Sequence, residues 1–320
     1  MSLLFQKELM SSNMETMTSA FKLNEDEERS LGAFICAAQG KKADPEKIKE
    51  CKEIMKSEHK AFSDFRGHME LPLIAKMSVS DDPRAYLLGV TDVYKKLSAN
   101  YKFGNESRLL AAVIIYDNAK PEELDAVCQR TMDIFEKVKS SHPVLGGQNI
   151  LPMLALMALK DDDTDKMLTD MEECYNTLNG KFKLSKDAVL TVGNILALAP
   201  GASADKCGKL LKMFETFDSN KMSIKGSRMP ILAVLVNSGL DPEEAVRQSI
   251  QNDEDLKKIK GFSGVFGMDS QTRHTYAAAI TAVNSTQGDA AAESAVMSTI
   301  LSIVISIEMM VMLLLVYGSV

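Results

Sequence analysis

Seven short apolar phrases recur at near-even intervals along the chain. LPLIAKM runs from Leu71 to Met77, LPMLALM from Leu151 to Met157 and MPILAVL from Met229 to Leu235. Between them stand LLAAVII from Leu109 and LTVGNIL from Leu190, with LGAFICAA from Leu31 ahead of them and YAAAITAV from Tyr276 behind. The step is about 40 residues, the length of one two-helix unit in helical repeat arrays. A segment that is apolar on nearly every side must be covered on several sides, and one helix pair cannot do that alone.

Two further markers keep the same beat. Each phrase is followed by a helix-start signal: ADPEKIKE at Ala43, DDPRAYLL at Asp81, KPEELDAV at Lys120, DTDKMLTD at Asp163, ASADKCGKLL at Ala202 and DPEEAVRQ at Asp241. A side-chain oxygen of Asp or Ser caps free amides, and proline fits the first helical position because its missing N–H has no partner there. Pro45, Pro83, Pro121 and Pro242 therefore open helices. The second helix of each unit then closes on an aromatic and a basic turn, at Tyr94, Phe135, Tyr175 and Phe214. In EELDAVCQRTMDIFEKV, residues Leu124, Val127, Cys128, Ile134, Phe135 and Val138 give the spacing of one buried stripe.

The unit is thus an apolar helix A, an acidic turn, an amphipathic helix B and a basic turn. These signals predict an all-α, right-handed α-solenoid or superhelix of about six two-helix hairpins. It forms one continuous, elongated or curved domain: an N-terminal cap helix over 1–29, the array over 30–262, and a degenerate end repeat with a hydrophobic C-terminal helix over 263–320. Twenty methionines and no tryptophan agree with long packed helices. GFSGVFGMDSQ, from Gly261 to Gln271, reads as a loop.

Composition narrows the function classes. A net charge of -7 argues against a nucleic-acid partner. Five cysteines with no CxxC spacing give neither a disulfide framework nor a zinc site, and read as buried small hydrophobes in a reducing compartment. The N-terminus lacks the pattern of a secretory signal. No metal or cofactor is expected: His59, His68, His142 and His274 lack a partner at ligand spacing, Asp161 to Asp165 lack the order of a calcium loop, and no dinucleotide, phosphate-loop or nucleophile-elbow motif appears.

Charges fall on two rims. Acids such as Asp81, Asp82, Asp161, Asp163 and Asp241 mark the A-to-B turns, and Lys95, Lys96, Lys137, Lys181 and Lys260 mark the B-to-A turns. Favourable interaction with helix dipoles accounts for both. Arg108, Arg228 and Arg273, the last followed by His274, each stand just ahead of an apolar helix. Planar guanidinium forks presented from separate hairpins make the candidate ligand or partner site.

From Ala295 to Tyr317 the chain is apolar apart from Glu308 and is long enough to cross a bilayer. Glu308 near its centre and the absence of flanking Lys or Arg favour a helix packed against the array or against a second subunit. Ile300, Ile303, Ile307, Met310 and Leu314 are then the candidate oligomer or membrane contacts.

Three stretches carry a family resemblance: SSHPVLGGQNILPMLALMAL from Ser140, MEECYNTLNGKF from Met171, and KFGNESRLLAAVII from Lys102. In these the chain resembles the domain-of-unknown-function 4003 proteins, an uncharacterised bacterial family. The resemblance implies a predominantly helical, cytoplasmic protein and carries over no catalytic residue. The leading expectation is a non-enzymatic scaffold holding a peptide or protein partner along its inner surface. The alternatives are a membrane-associated adaptor on the cytoplasmic face, docked through 295–317, and an enzyme with its site in the concave groove.

Overall fold

The computed structural model describes residues 7–102, 104–141, 147–160, 162–181, 186–263, 268–285, 298–309 and 311. His142, Asp161, Met310 and Leu314, together with part of the 261–271 loop, lie outside the described residues. Helices fill most of what is described, and no strand occurs there.

The apolar phrases lie in helices α2 (Asp26–Ala38), α4 (Glu70–Val79), α6 (Glu106–Asn118), α8 (Leu151–Ala158), α10 (Lys186–Ala197), α12 (Pro230–Asn237) and α14 (Ser270–Ser285). Between them run the amphipathic helices: α1 (Lys7–Ala20), α3 (Pro45–Glu58), α5 (Pro83–Ser98), α7 (Leu124–Ser141), α9 (Thr164–Leu178), α11 (Ser203–Ser219) and α13 (Pro242–Leu256). A last helix, α15, covers 298–309.

The start signals act as their chemistry requires. Asp44, Asp82 and Asp241 accept from the amides of Glu46, Ala85 and Glu243, with proline at the first helical position each time. Asp163 caps α9 and Asn105 caps α6 in the same way. Pro121 instead opens a short 3-10 turn, Pro121–Glu123, and α7 starts after it. The amphipathic stripe of α7 buries Val127, Cys128, Ile134, Phe135 and Val138, joined by Thr131, whose hydroxyl is satisfied by the Val127 carbonyl at 2.8 Å.

The A helices are covered all round. Every residue of α8 is buried, as is every residue of α12 from Pro230 to Val236. Lys76, the one charge inside LPLIAKM, is also buried, with its Nζ 2.5 Å from Asp117 of α6. The second carboxylate oxygen of Asp117 accepts from the Tyr86 hydroxyl at 2.9 Å, so the buried cation rests on a satisfied anion. Gly32 lets α2 and α4 approach closely, since a Cβ there would fall 2.5 Å from Leu71.

Consecutive A helices pack in chain order along α6, α8, α10, α12 and α14, and α2 packs on α4. Among the B helices, α1, α3, α5 and α7 follow one another, as do α9, α11 and α13. The two ends of this series meet. Lys7 of α1 forms an ion pair with Asp255 of α13, and Ser30 of α2 lies 3.5 Å from the Tyr276 hydroxyl of α14. A Cβ on Gly261, where φ is +95°, would come 2.6 Å from Met14. An elongated array with separate ends is therefore not what is seen. The first and last A helices are each apolar on the side an open end would expose, and they cover each other. Helix α1, expected as a cap alone, contributes to this seam.

Helix α15 lies inside. Ile300, Leu301, Ile303, Val304, Ile305 and Ile307 are each at most 3% exposed. Its Glu308 lies within electrostatic reach of Tyr276, Arg228 and Glu27, while Ser306 and Met309 share a cavity with Leu110, Pro152 and Thr191. The apolar character of this stretch thus matches an interior position among the A helices, where each fully buried Ile contributes about 1.5–3 kcal/mol. Among the described residues no helix is long and apolar enough to cross a membrane.

Candidate functional site

The B-to-A turns gather at one end of the molecule, and a cavity of about 880 Å³ opens among them. Its walls come from 61–68, from Gly104 to Ser107, from Asn149 and Ile150 and from Gly226 and Ser227, and its floor is Ser306 and Met309 of α15. With Thr191 of α10, six separate stretches of chain therefore build one concavity.

Two carboxylates shape one wall. Glu106, in the first turn of α6, accepts the His68 amide at 2.8 Å and so ties α6 to the turn that leads into α4. Burial raises its pKa, opposed by the His68 side chain and by its amide donors, with Asp64 adding to the rise. Asp64, in the 3-10 turn Asp64–Arg66, accepts from the Tyr94 hydroxyl. Burial and that same bond push the Tyr94 phenol up. Glycine is needed opposite each: a Cβ on Gly67 would fall 2.1 Å from Glu106 Oε1, and one on Gly104 would fall 2.1 Å from Asp64 Oδ2. The basic groups of this wall are already engaged, Arg66 by Glu70 at 3.2 Å and His68 by Glu28 at 3.6 Å. The wall presents negative charge, hydroxyls and amides beside the apolar Leu110, Ile150 and Met309.

Close to the floor, on another face of α15, sits a buried polar cluster. Glu308 is 1% exposed, and burial pushes its carboxyl up to about 7, aided by Glu27 and Asp269 and opposed by Arg228. Neither Glu308 Oε1 nor Arg228 Nε has a hydrogen-bond partner among the described residues. Arg228 instead donates through Nη2 to Thr272 and lies 3.9 Å from Asp269.

The arginines expected to act together are divided. Arg108 is buried in α6, donating to Ser98 at 3.2 Å with its guanidinium 4.2 Å from the Tyr101 ring centre. Arg273 binds Asp253 at 2.7 Å and the Phe262 carbonyl at 3.1 Å, which locks α14 to α13. His274 lies 3.1 Å from the Ser223 carbonyl and 3.9 Å from the same Asp253. Arg228, Arg273 and His274 are thus near one another around α14, engaged mainly within the protein, and Arg108 belongs to another hairpin. None of the four lines the cavity. Ile300, Ile303 and Ile307 are interior contacts in this chain.

Sequence reasoning missed Asp64 and Glu106. Their signal is slight: each is paired in space with a glycine of the neighbouring turn, in FRG and FGNE, a relation invisible along one strand of text. The five cysteines are buried and free; burial raises Cys36 and Cys51 to about 12 and Cys128 to about 11, so these thiols are protonated at neutral pH. Among the described residues no three His, Cys, Asp or Glu side chains gather as metal ligands.

No curated protein and no solved structure matches the chain significantly. The profile of one family does, over residues 13–310, nearly the whole length. Its description is "Protein of unknown function (DUF4003)", and on that coverage the chain belongs to this family.

Proposed function

We propose that this protein binds a small neutral or cationic molecule in the cavity at the B-to-A end. The observation that carries the reading is the placement of α15: the inner surface that would receive a long peptide is occupied by the chain's own helix, and what stays open is the cavity above it. A volume of about 880 Å³ suits a small ligand, and the mix of apolar floor with a few placed polar groups is that of a ligand pocket. Asp64 and Glu106 supply the charge preference, because the Arg66 cation beside them is held by Glu70 and the His68 ring faces Glu28.

The scaffold under this site is a right-handed array of helix pairs, about 40 residues each, bent until its ends meet. The order of helix contacts and the seam at Lys7 and Asp255 support it. One continuous domain results, with α1 beside α13 and α2 beside α14, working as a non-enzymatic binding protein in the cytoplasm.

The test is a thermal-shift screen of a metabolite library against the native chain and against Ser227→Trp, which places an indole in the cavity mouth. A neutral or cationic compound should raise the melting temperature of the native chain and leave Ser227→Trp unmoved. Equal shifts in both, or hits confined to anions, would contradict the reading.

A further inference from the structure

The end of the molecule that carries the cavity has a second property, at its outer rim. Among the described residues, two large apolar side chains stand fully in water, Phe62 at 104% and Leu23 at 99% exposure; the next, Leu88 and Ile250, reach only 46% and 37%. Phe62 and Leu23 lie on neighbouring turns, since Leu23 joins α1 to α2, Phe62 lies between α3 and α4, and α1 packs on α3 as α2 does on α4. Scattered single apolar residues need no explanation, but two fully exposed side chains on consecutive turns present apolar surface that water does not favour.

Lysines recur on the turns at this end. Lys22 precedes Leu23, Lys60 stands two before Phe62, and Lys102, Lys181, Lys221 and Lys260 occupy the corresponding turns of other hairpins, all exposed. Within the described residues none of the six is held by a carboxylate. Most acids of the same turns are engaged within the protein: Asp64 accepts from Tyr94, Glu106 from the His68 amide, Glu70 and Asp26 pair with Arg66 and Arg29, and Asp269, itself exposed, accepts from Thr272. Glu25, near Leu23, is exposed as well, and Asp218 is exposed but paired with Lys225. The net charge of -7 is therefore unevenly placed, with Asp81, Asp82, Asp162, Asp163 and Asp241 at the opposite end.

The geometry points to a peripheral docking surface for an anionic lipid bilayer, with Phe62 and Leu23 entering the interface and the lysines meeting lipid headgroups. Apolar tips gain by leaving water for the headgroup and acyl boundary, and each lysine near an anionic membrane adds a favourable electrostatic contribution. A soluble polyanion would use the lysines and have no use for the two apolar tips, which is why the lipid surface is preferred. Docking by this face needs no movement of α15, and Phe62 stands at the rim of the cavity.

The test is co-sedimentation of the full chain with phosphatidylcholine vesicles, with and without about 30% phosphatidylserine, at low and high salt. The native chain should sediment with the anionic vesicles, stay in solution with phosphatidylcholine alone, and be released by salt. Lys22→Ala, Lys60→Ala and Lys102→Ala should each weaken binding about fivefold. Leu23→Ser/Phe62→Ser should lower it at least about tenfold, with an unchanged melting temperature because both side chains are already in water. Failure of the native chain to sediment with anionic vesicles overturns the proposal. So does unchanged sedimentation of Leu23→Ser/Phe62→Ser, and heparin binding that is likewise unchanged in that variant assigns the lysines to a soluble polyanion instead.

Discussion

The rings of Phe34 and Tyr276 meet edge-on with centroids 5.4 Å apart, one on α2 and the other on α14. Both are fully buried, and Phe262 packs on the far side of Tyr276 at 5.8 Å. This contact joins the beginning and end of the helical series through hydrophobic burial, the strongest kind of cement available there. Tyr276→Ala should cost about 3–5 kcal/mol in denaturant unfolding. Tyr276→Phe, which loses only the 3.5 Å contact with Ser30, should cost about 1 kcal/mol or less. A small effect of Tyr276→Ala would mean that the seam contributes little to stability.

Glu308 makes stability depend on pH in a particular sense. Its carboxyl titrates near 7 in the folded protein, and at an ordinary carboxylate value near 4.5 when unfolded. Below the lower value both states hold the proton and the group costs nothing. As pH rises from about 4.5 to about 7 the unfolded chain ionises first, so folding loses about 3 kcal/mol, and the loss is complete above 7. Glu308→Gln should therefore stabilise the protein by about 3 kcal/mol at pH 8 and by less than about 1 kcal/mol at pH 5. The groups facing it, Arg228, Glu27, Asp269 and Tyr276, are unchanged in that variant. Equal gains at both pH values would show that Glu308 is not sealed from water.

The helix caps offer an additive series. Asp82→Ala and Asp241→Ala each remove one side-chain acceptor, for the Ala85 and Glu243 amides respectively. Each should cost about 1 kcal/mol, and the double variant the sum, because the two caps sit on α5 and α13 and share no contact. Urea midpoints measure both. A double variant far less stable than the sum would reveal coupling between distant hairpins.

Thiol chemistry reports on packing. Cys36, Cys51 and Cys128 are buried with raised pKa values, and they should react with an aromatic disulfide reagent at neutral pH only as fast as the chain opens. Rapid modification of these three in the native state would contradict a closed interior.

The helices were legible in the sequence because local chemistry writes them: Asp before Pro at 44–45, 82–83 and 241–242 is a cap in any context. The meeting of the two ends was not legible. Nothing along the chain says that Tyr276 needs Phe34 rather than a neighbouring repeat, since one apolar surface satisfies another without direction. The apolar run around Ile300, Ile303 and Ile307 needs cover, but sequence does not distinguish a partner, a membrane or the chain's own interior as the cover. Arg273 shows the same limit at the site: its guanidinium looked available ahead of an apolar helix, and Asp253, twenty positions earlier, had already claimed it. Asp64 and Glu106 escaped notice because their glycine neighbours come from the adjoining hairpin.

The helical series closes where its two ends meet around α15, and the ion pair of Lys7 with Asp255 tests that closure most directly. These residues are 248 positions apart and touch, with Lys7 half exposed to reagent. Treatment of the monomeric protein with a zero-length carbodiimide should join them, giving a cross-linked peptide between the start of α1 and the end of α13 that mass spectrometry detects. A monomer fraction without that peptide, or the cross-link found in dimers alone, would contradict the closed arrangement.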